Sequence, residues 1–456
     1  MIKAPSWIEN AVFYHVYPLG ACGAPARNDL RLPPRDRLSN LLSYLDHWQS
    51  MGITALYLGP LFESRAHGYD TADYFRVDRR LGDNTVLQEL IAKLHDRGMR
   101  VILDGVFHHV GREFWAFREL QQHGDASPYQ NWFSGVRFDA RSALGDPFGY
   151  DCWEGCHDLV KLNLRHPEVR EHLLGAVDAW VREFDIDGLR LDVAERIDTD
   201  FLRELAGYSR SLRDDFWLMG EMIHGDYRRI AAPDLLNSAT NYECYKGMWS
   251  SLNDGNFFEI AHSLNRLFGA HGLYRNLMLY NFVDNHDVDR AATILNNPRQ
   301  LALLYLLLFT IPGVPSIYYG SEWGLQGRKE HGDRALRPTL PPLTAVQNLP
   351  APEFPETIAS LSQARHGSVA LRFGCYRELY VRSRQLAFAR TCDDETIIVA
   401  CNAEADSAEV VLPAQTLGQG TLTDVLHPSF QVAVESNRDA CVEVPAQWGR
   451  VLRWQA

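Results

Sequence analysis

The stretch GLRLDVAER, residues 188–196, decides how the chain folds. Leu189, Leu191 and Val193 alternate with other residues, so the segment reads as a short strand with a period of two. Arg190 and Asp192 then share the other face, in a segment whose flanks are both apolar. Burying a full positive and a full negative charge is expensive, and apolar replacements are often neutral or stabilising. A strand that keeps such a pair needs a reason for it, and that reason lies in the strands around it.

Working outward, the same kind of apolar run recurs. It appears at 11–18, 53–60, 99–107, 186–193, 216–221, 234–241, 277–287 and 314–320, which makes eight. Helical patterns lie between, such as TVLQELIAKLHDRG and HPEVREHLLGAVDAWVREF. In the second, Val169, Leu173, Val177, Trp180, Val181 and Phe184 share a face, and Gly188 is read as lying just past its end. Eight strands alternating with helices predict an α/β fold, a (β/α)8 TIM barrel. One connection is too long for a loop. Between Asp104 and Arg190 lie a helix and some fifty residues rich in Gly, Pro, Asp and aromatics. They are expected to form a small domain inserted after the third strand. From about residue 376 the pattern alternates as antiparallel strands do, which predicts a C-terminal β-sandwich. The expected division is a barrel over 1–109 and 163–375, an inserted domain over 110–162 and a sandwich over 376–456.

Bulk properties narrow the function. A chain of 456 residues suits a large barrel plus a smaller module, and 46% apolar residues can fill a large core. A net charge of −13 argues against nucleic acid or an anionic membrane as partner. Eleven Trp and nineteen Tyr offer flat faces that suit sugar rings, although core packing accounts for most aromatics in any protein. The N-terminal segment lacks the basic start and apolar stretch of a signal peptide. The longest apolar run, from Leu301, is broken by Pro312, Gly313 and Pro315 and reads as a buried helix followed by a strand. A cytoplasmic location with eight reduced cysteines is therefore expected. Cys152, Cys156 and His157 have no second pair at a zinc-like spacing, so no metal site is assigned to them.

Active sites of such barrels lie at the C-terminal ends of the strands. There the third strand brings Asp104 and then His108 and His109, the fourth Arg190 and Asp192, the fifth Glu221, and the seventh His286 and Asp287. Three carboxylates from strands four, five and seven would converge. That set suits cleavage of a glycosidic bond: one carboxylate attacks the anomeric carbon and a protonated one serves the leaving oxygen. A third negative group stabilises the cationic transition state. Arg190 would keep Asp192 ionised and aimed, which supplies the reason for the buried pair.

These motifs closely resemble those of the α-amylase family, glycoside hydrolase family 13, over nearly the whole chain. DGVFHH (104–109), GLRLDVAER, GEMIHGD (220–226) and FVDNHD (282–287) resemble the family's four regions, and GVPSIYYGSE (313–322) its eighth-strand segment. The resemblance implies Asp192 as nucleophile, Glu221 as acid/base and Asp287 as the stabilising aspartate. HGYDTADYF (67–75) and LVKLN (159–163) are most similar to the neopullulanase and cyclomaltodextrinase branch. By that resemblance Tyr69 stacks under the sugar, His109 and His286 bind its hydroxyls, and Asp104 and Arg190 support the same wall. The implied activity is retaining hydrolysis of short or cyclic α-glucans. Transglycosylation or oligo-1,6-glucosidase activity is the alternative, and a non-catalytic binding subunit a remote one. The implied partner is an oligosaccharide, without nucleic acid or membrane, and a homodimer is compatible. The chain begins almost directly at the first strand, so the N-terminal β-domain common in that branch is not expected. His108 stands where the family usually has Asn, a calcium ligand in many relatives. An imidazole is a poor ligand for calcium, so no cofactor and no metal are expected, and His108 is expected to hold the inserted domain by hydrogen bonds.

Overall fold

The computed structural model describes residues 4–392, 395–414 and 417–456. All eight expected strands are present and parallel: β1 (Phe13–Val16), β2 (Ala55–Leu58), β3 (Arg100–Gly105), β4 (Gly188–Leu191), β5 (Trp217–Gly220), β6 (Ser238–Ala239), β7 (Tyr280–Phe282) and β8 (Val314–Tyr318). Their order is β6-β5-β4-β3-β2-β1-β8-β7, and a parallel bridge between Thr240 and Tyr280 joins the two ends. The sheet is a closed barrel.

Two separate apolar clusters show which way each strand faces. Phe13, Ala55, Tyr57, Ile102, Trp217, Met219, Tyr280 and Val314 fill the inside. Their neighbours in sequence, such as Tyr14, Leu56, Leu103, Leu189 and Leu218, join the large cluster beneath the helices. That alternation is the period of two read from the sequence. Gly188 is paired in register with Ile102 on one side and Trp217 on the other. A Cβ there would stand 2.3 Å from the Trp217 carbonyl oxygen and 2.9 Å from Ile102 Cγ2. The Trp217 backbone carbonyl and the Ile102 side chain already occupy the space a side chain would need.

Two local readings change. The helix over Pro167–Phe184 ends at Asp185, which takes the left-handed conformation itself (φ 57°), so Gly188 belongs to β4 and not to the helix end. The β4 strand stops at Leu191, and Val193 turns into the left-handed region with φ 48° and ψ 40°. A β-branched residue there is strained, and its place beside the charged pair makes the strain part of the site.

The region after β3 has its own small fold. A helix over Trp115–His123 packs beside a three-stranded sheet of His109–Gly111, Cys156–Lys161 and Cys152–Trp153. At the C-terminal end a six-stranded antiparallel sheet faces a two-stranded one across an apolar layer that includes Ala400, Val410, Val442 and Leu452. The alternation read from about residue 376 includes the strands Gln385–Cys392 and Glu395–Asn402, while residues 393 and 394 lie outside the described part. Among the described residues no helix is long and apolar enough to cross a membrane; the run from Leu301 is a helix over Leu301–Thr310 followed by β8.

Candidate active site

At the C-terminal end of the barrel lies a cavity of about 540 Å³, lined among others by Tyr69, His109, Trp153, Asp192, Glu221, Tyr242, Asp287 and Arg337. Asp104, Arg190 and His286 sit directly beneath, bonded to those residues. The eight side chains singled out in the sequence are therefore brought together.

Arg190 is the hub. Its Nη1 donates to Asp104 Oδ1 at 3.0 Å and to Asp192 Oδ1 at 2.9 Å, and its Nη2 meets Glu221 Oε2 at 3.0 Å. In register Arg190 lies beside Asp104 of β3, and Asp192 and Glu221 are the first residues past β4 and β5. One buried guanidinium thus holds three carboxylates, not the single partner inferred from the strand. Arg190 favours the ionised form of Asp192, but its charge is divided among three carboxylates. Burial pushes the Asp192 carboxyl up, Arg190 pulls it down, and the Glu221 and Asp104 carboxylates push it up again, with the net direction well above the usual range.

Asp287 is treated differently. Burial opposes its charge, but His286, Arg337 and Lys329 hold it well below the usual carboxylate range. The contacts are His286 Nε2 to Oδ2 at 2.8 Å, Arg337 Nη2 to Oδ1 at 3.0 Å and Lys329 Nζ to Oδ1 at 3.6 Å. Asp287 is the permanently charged member of the set.

The Tyr69 hydroxyl is 3.0 Å from Asp104 Oδ2 and 2.5 Å from His286 Nε2, and its ring stacks on the His286 ring at 5.4 Å. The loop behind it is pinned by one side chain. Asp70 Oδ2 accepts from the backbone N–H groups of Arg65 (3.1 Å) and Ala66 (2.8 Å), and Oδ1 from those of His67 (3.0 Å) and Gly68 (3.1 Å).

His109 faces Asp192 with Nε2 3.9 Å from Oδ2. Burial lowers its pKa to about 3 and that of His108 to about 4, so both imidazoles are neutral in the working range. Their Nδ1 atoms face each other at 3.2 Å, one donating and one accepting. The hydrogen bond expected from the His108 side chain to the inserted domain goes instead to its neighbour. Contact with the inserted domain is made by its ring, edge-on to Trp153 at 5.5 Å, and by its backbone carbonyl, which accepts from Leu162 N at 3.1 Å. Imidazole nitrogens and an indole surround this position, and a hard cation needs oxygens. The residues present do not fit a calcium ion. Among the described residues no group of three or more His, Cys, Asp or Glu side chains is arranged to hold a metal ion.

Sequence reading missed five neighbours. Tyr57 donates to Asp104 Oδ2 at 2.8 Å and was findable, since it is the inward-facing position two after Ala55. Trp153 ends a two-residue strand of the inserted domain, Tyr242 opens the helix Tyr242–Asp254, and Lys329 and Arg337 follow β8; no sequence period links any of them to the site.

This geometry has relatives. Residues 37–339 match the family model described as alpha amylase, catalytic domain. The chain belongs to the α-amylase family. It is a glycoside hydrolase of that family. It is 31% identical to a cyclomaltodextrinase of Geobacillus thermopakistaniensis over 99% of this chain and 78% of that one. Among solved structures, the ligand-free cyclic α-maltosyl-(1→6)-maltose hydrolase of Arthrobacter globiformis superposes with a TM-score of 0.82, at 26% identity and 99% coverage of both chains. The native Nostoc punctiforme debranching enzyme superposes with a TM-score of 0.83, at 29% identity and 99% coverage of both chains.

Proposed function

We propose that this chain is a retaining hydrolase of short or cyclic α-glucans, with Asp192 as nucleophile, Glu221 as acid/base and Asp287 as the stabilising carboxylate. The observation that carries the reading is the sharing of Arg190 by Asp192 and Glu221, at 2.9 and 3.0 Å. Two carboxyls on one guanidinium are the close pair that retention uses, at about 5–5.5 Å, where inversion needs room for a water between them.

In the first step an Asp192 oxygen bonds to the anomeric carbon and the glycosidic bond breaks. Its electron pair goes to the leaving oxygen, which takes the proton of Glu221. In the second step the Glu221 carboxylate takes a proton from water, the water oxygen bonds to the anomeric carbon, and the bond to Asp192 breaks. Asp287, ionised throughout, faces the positive charge that develops on the ring. The stacked Tyr69 offers a flat face to the sugar. His109 and His286 offer ring nitrogens to its hydroxyls, and Asp104 and Arg190 hold the wall.

Substrate class rests on the relatives, which are named for cyclic or branched maltose-based glucans. A cytoplasmic location belongs to the same reading; a relative from Bacillus subtilis is named an intracellular maltogenic amylase. The test is a product chromatogram from cyclodextrins, maltotriose, pullulan, panose and sucrose, with wild type, Asp192→Ala and Glu221→Gln. Maltose and glucose should appear from the cyclic and short linear substrates. Glu221→Gln should lose about 10²–10⁴-fold, and Asp192→Ala nearly all turnover. An Asp192→Ala enzyme keeping a tenth of wild-type turnover defeats the assignment.

A further inference from the structure

The two oxygens of Glu221 have unequal surroundings. Oε2 accepts from Val193 N at 3.1 Å and meets Arg190 Nη2 at 3.0 Å. The left-handed turn at Val193 is what aims that N–H across from β4 to β5. With two N–H donors on Oε2, a proton on the carboxyl belongs on Oε1. Among the described residues the partner of Oε1 is the Tyr242 hydroxyl, at 3.5 Å.

The direction of that contact is fixed from behind. Asp287 N donates to Asn285 Oδ1 at 2.8 Å, which sets the Asn285 amide with its Nδ2 toward Tyr242. Asn285 Nδ2 donates to the Tyr242 oxygen at 3.2 Å. The phenolic oxygen is thereby occupied as an acceptor, and its own hydrogen is left for Glu221 Oε1. The ring is held edge-on against Phe282 at 4.9 Å and Tyr245 at 6.0 Å, so it cannot swing away. Burial pushes the phenol well above its usual pKa, so it remains a donor at every working pH. Hydrogen bonds of this length at unliganded sites tighten when substrate closes them.

We infer that Tyr242 is a positioning residue for the Glu221 proton, donating to Oε1 and stabilising the ionised carboxylate that the first step leaves behind. A neutral donor bonds a carboxylate about twice as strongly as a carboxylic acid, so the contact favours the step that releases the proton. Around the pair stand Arg190, which meets Glu221 Oε2, and the Asp192, Asp104 and Asp287 carboxyls. His109, beside Asp192, is neutral. The inference rests on Glu221 being the acid/base.

The test compares kcat/KM against pH for wild type, Tyr242→Phe and Asn285→Ala. Two substrates are used: maltotriose, and an aryl α-maltoside whose leaving group needs no proton. Tyr242→Phe should move the basic limb on maltotriose up by about one pH unit. It should lose about tenfold in kcat there, with KM little changed and the first step on the aryl maltoside nearly intact. Asn285→Ala leaves the phenol without its own donor and should move the limb in the same direction by less. An unmoved basic limb, a downward shift in either variant, or equal losses on both substrates through KM would overturn the inference and leave Tyr242 as part of the sugar-binding wall. A Tyr242→Phe protein with a collapsed thermal midpoint hands the decision to Asn285→Ala. Failure of the underlying reading shows separately: Glu221→Gln would then keep its activity on maltotriose.

Discussion

Arg190 and its three carboxylates form a buried group that is short of positive charge. Ions inside a protein cost several kcal/mol each, so the cluster is a liability that chemistry requires. The sign of its effect on stability follows from Asp192, whose carboxyl is pushed up in the folded protein. Between the unfolded pKa, about 3.9, and the raised folded one, the folded state binds more protons. Stability is then present at low pH and lost as pH rises through the folded value. Asp192→Asn should therefore be inactive yet melt roughly 1–3 °C above wild type at pH 8, the gain vanishing near pH 4; differential scanning calorimetry across that range checks it. The histidines make a second prediction. His109 titrates at about 3 and His108 at about 4, both below the working range. His109→Asn should reduce kcat/KM by removing a sugar contact while both limbs of the pH profile stay within about 0.2 units of wild type. A limb that moves with this substitution would return the histidine to the proton chemistry.

Among the elements, the loop from Arg65 to Asp70 does most to place Tyr69. Asp70 satisfies four successive backbone N–H groups, so the loop is fixed by a single carboxylate and needs no regular structure. Tyr69 is held at its far end by Asp104 and His286. Asp70→Ala releases four donors at once, each costing about 1 kcal/mol or more if left buried. A lower thermal midpoint and a fall of at least about tenfold in kcat/KM are expected, with Asp70→Asn between it and wild type; Michaelis kinetics and thermal melting read both. In β4 the demand is for space. Gly188→Ala drives a Cβ into the Trp217 carbonyl and should cost about 1–3 kcal/mol, measured by denaturant unfolding.

The whole molecule is one continuous core with a second layer added at the end. Leu386, Phe388, Ile397, Val399 and Val451 of the C-terminal sheet belong to the same apolar cluster as the barrel helices. The alternate positions Ala387, Ile398, Ala400 and Leu452 face the two-stranded sheet instead. The helix Leu301–Thr310 is buried on all sides and lies between barrel and sheet. At its C-terminal end, where carbonyls lack partners, Arg390 Nη1 donates to Thr310 O at 2.6 Å and Arg365 Nη1 to Phe309 O at 3.4 Å. A chain cut at residue 374 would expose that helix and should be insoluble. Size-exclusion of the truncated protein after expression tests this, and a monomeric active fragment would refute it. The site around His108 makes the other prediction at this scale. Dialysis against a chelator, with and without added calcium, should leave activity and thermal midpoint unchanged.

Period and motif are local, and the sequence determined what is local. The eight strands, the helices between them, the sandwich pattern and seven side chains at the strand ends were legible because burial writes a period of two or 3.6 into neighbouring residues, while Tyr69 came only from a motif. Where the local signal depends on one residue, the reading slipped. Gly188 looked like a helix end and is a strand position pressed by the Trp217 carbonyl, and Val193 looked like strand and is a turn. Only the tertiary structure decided the wiring. Arg190 reaches Asp104 across 86 positions of chain, and Arg337 reaches Asp287 across 50. No period connects such pairs. Which carboxylate is held charged depends on distances and on exclusion of water, and both exist only once the barrel has closed.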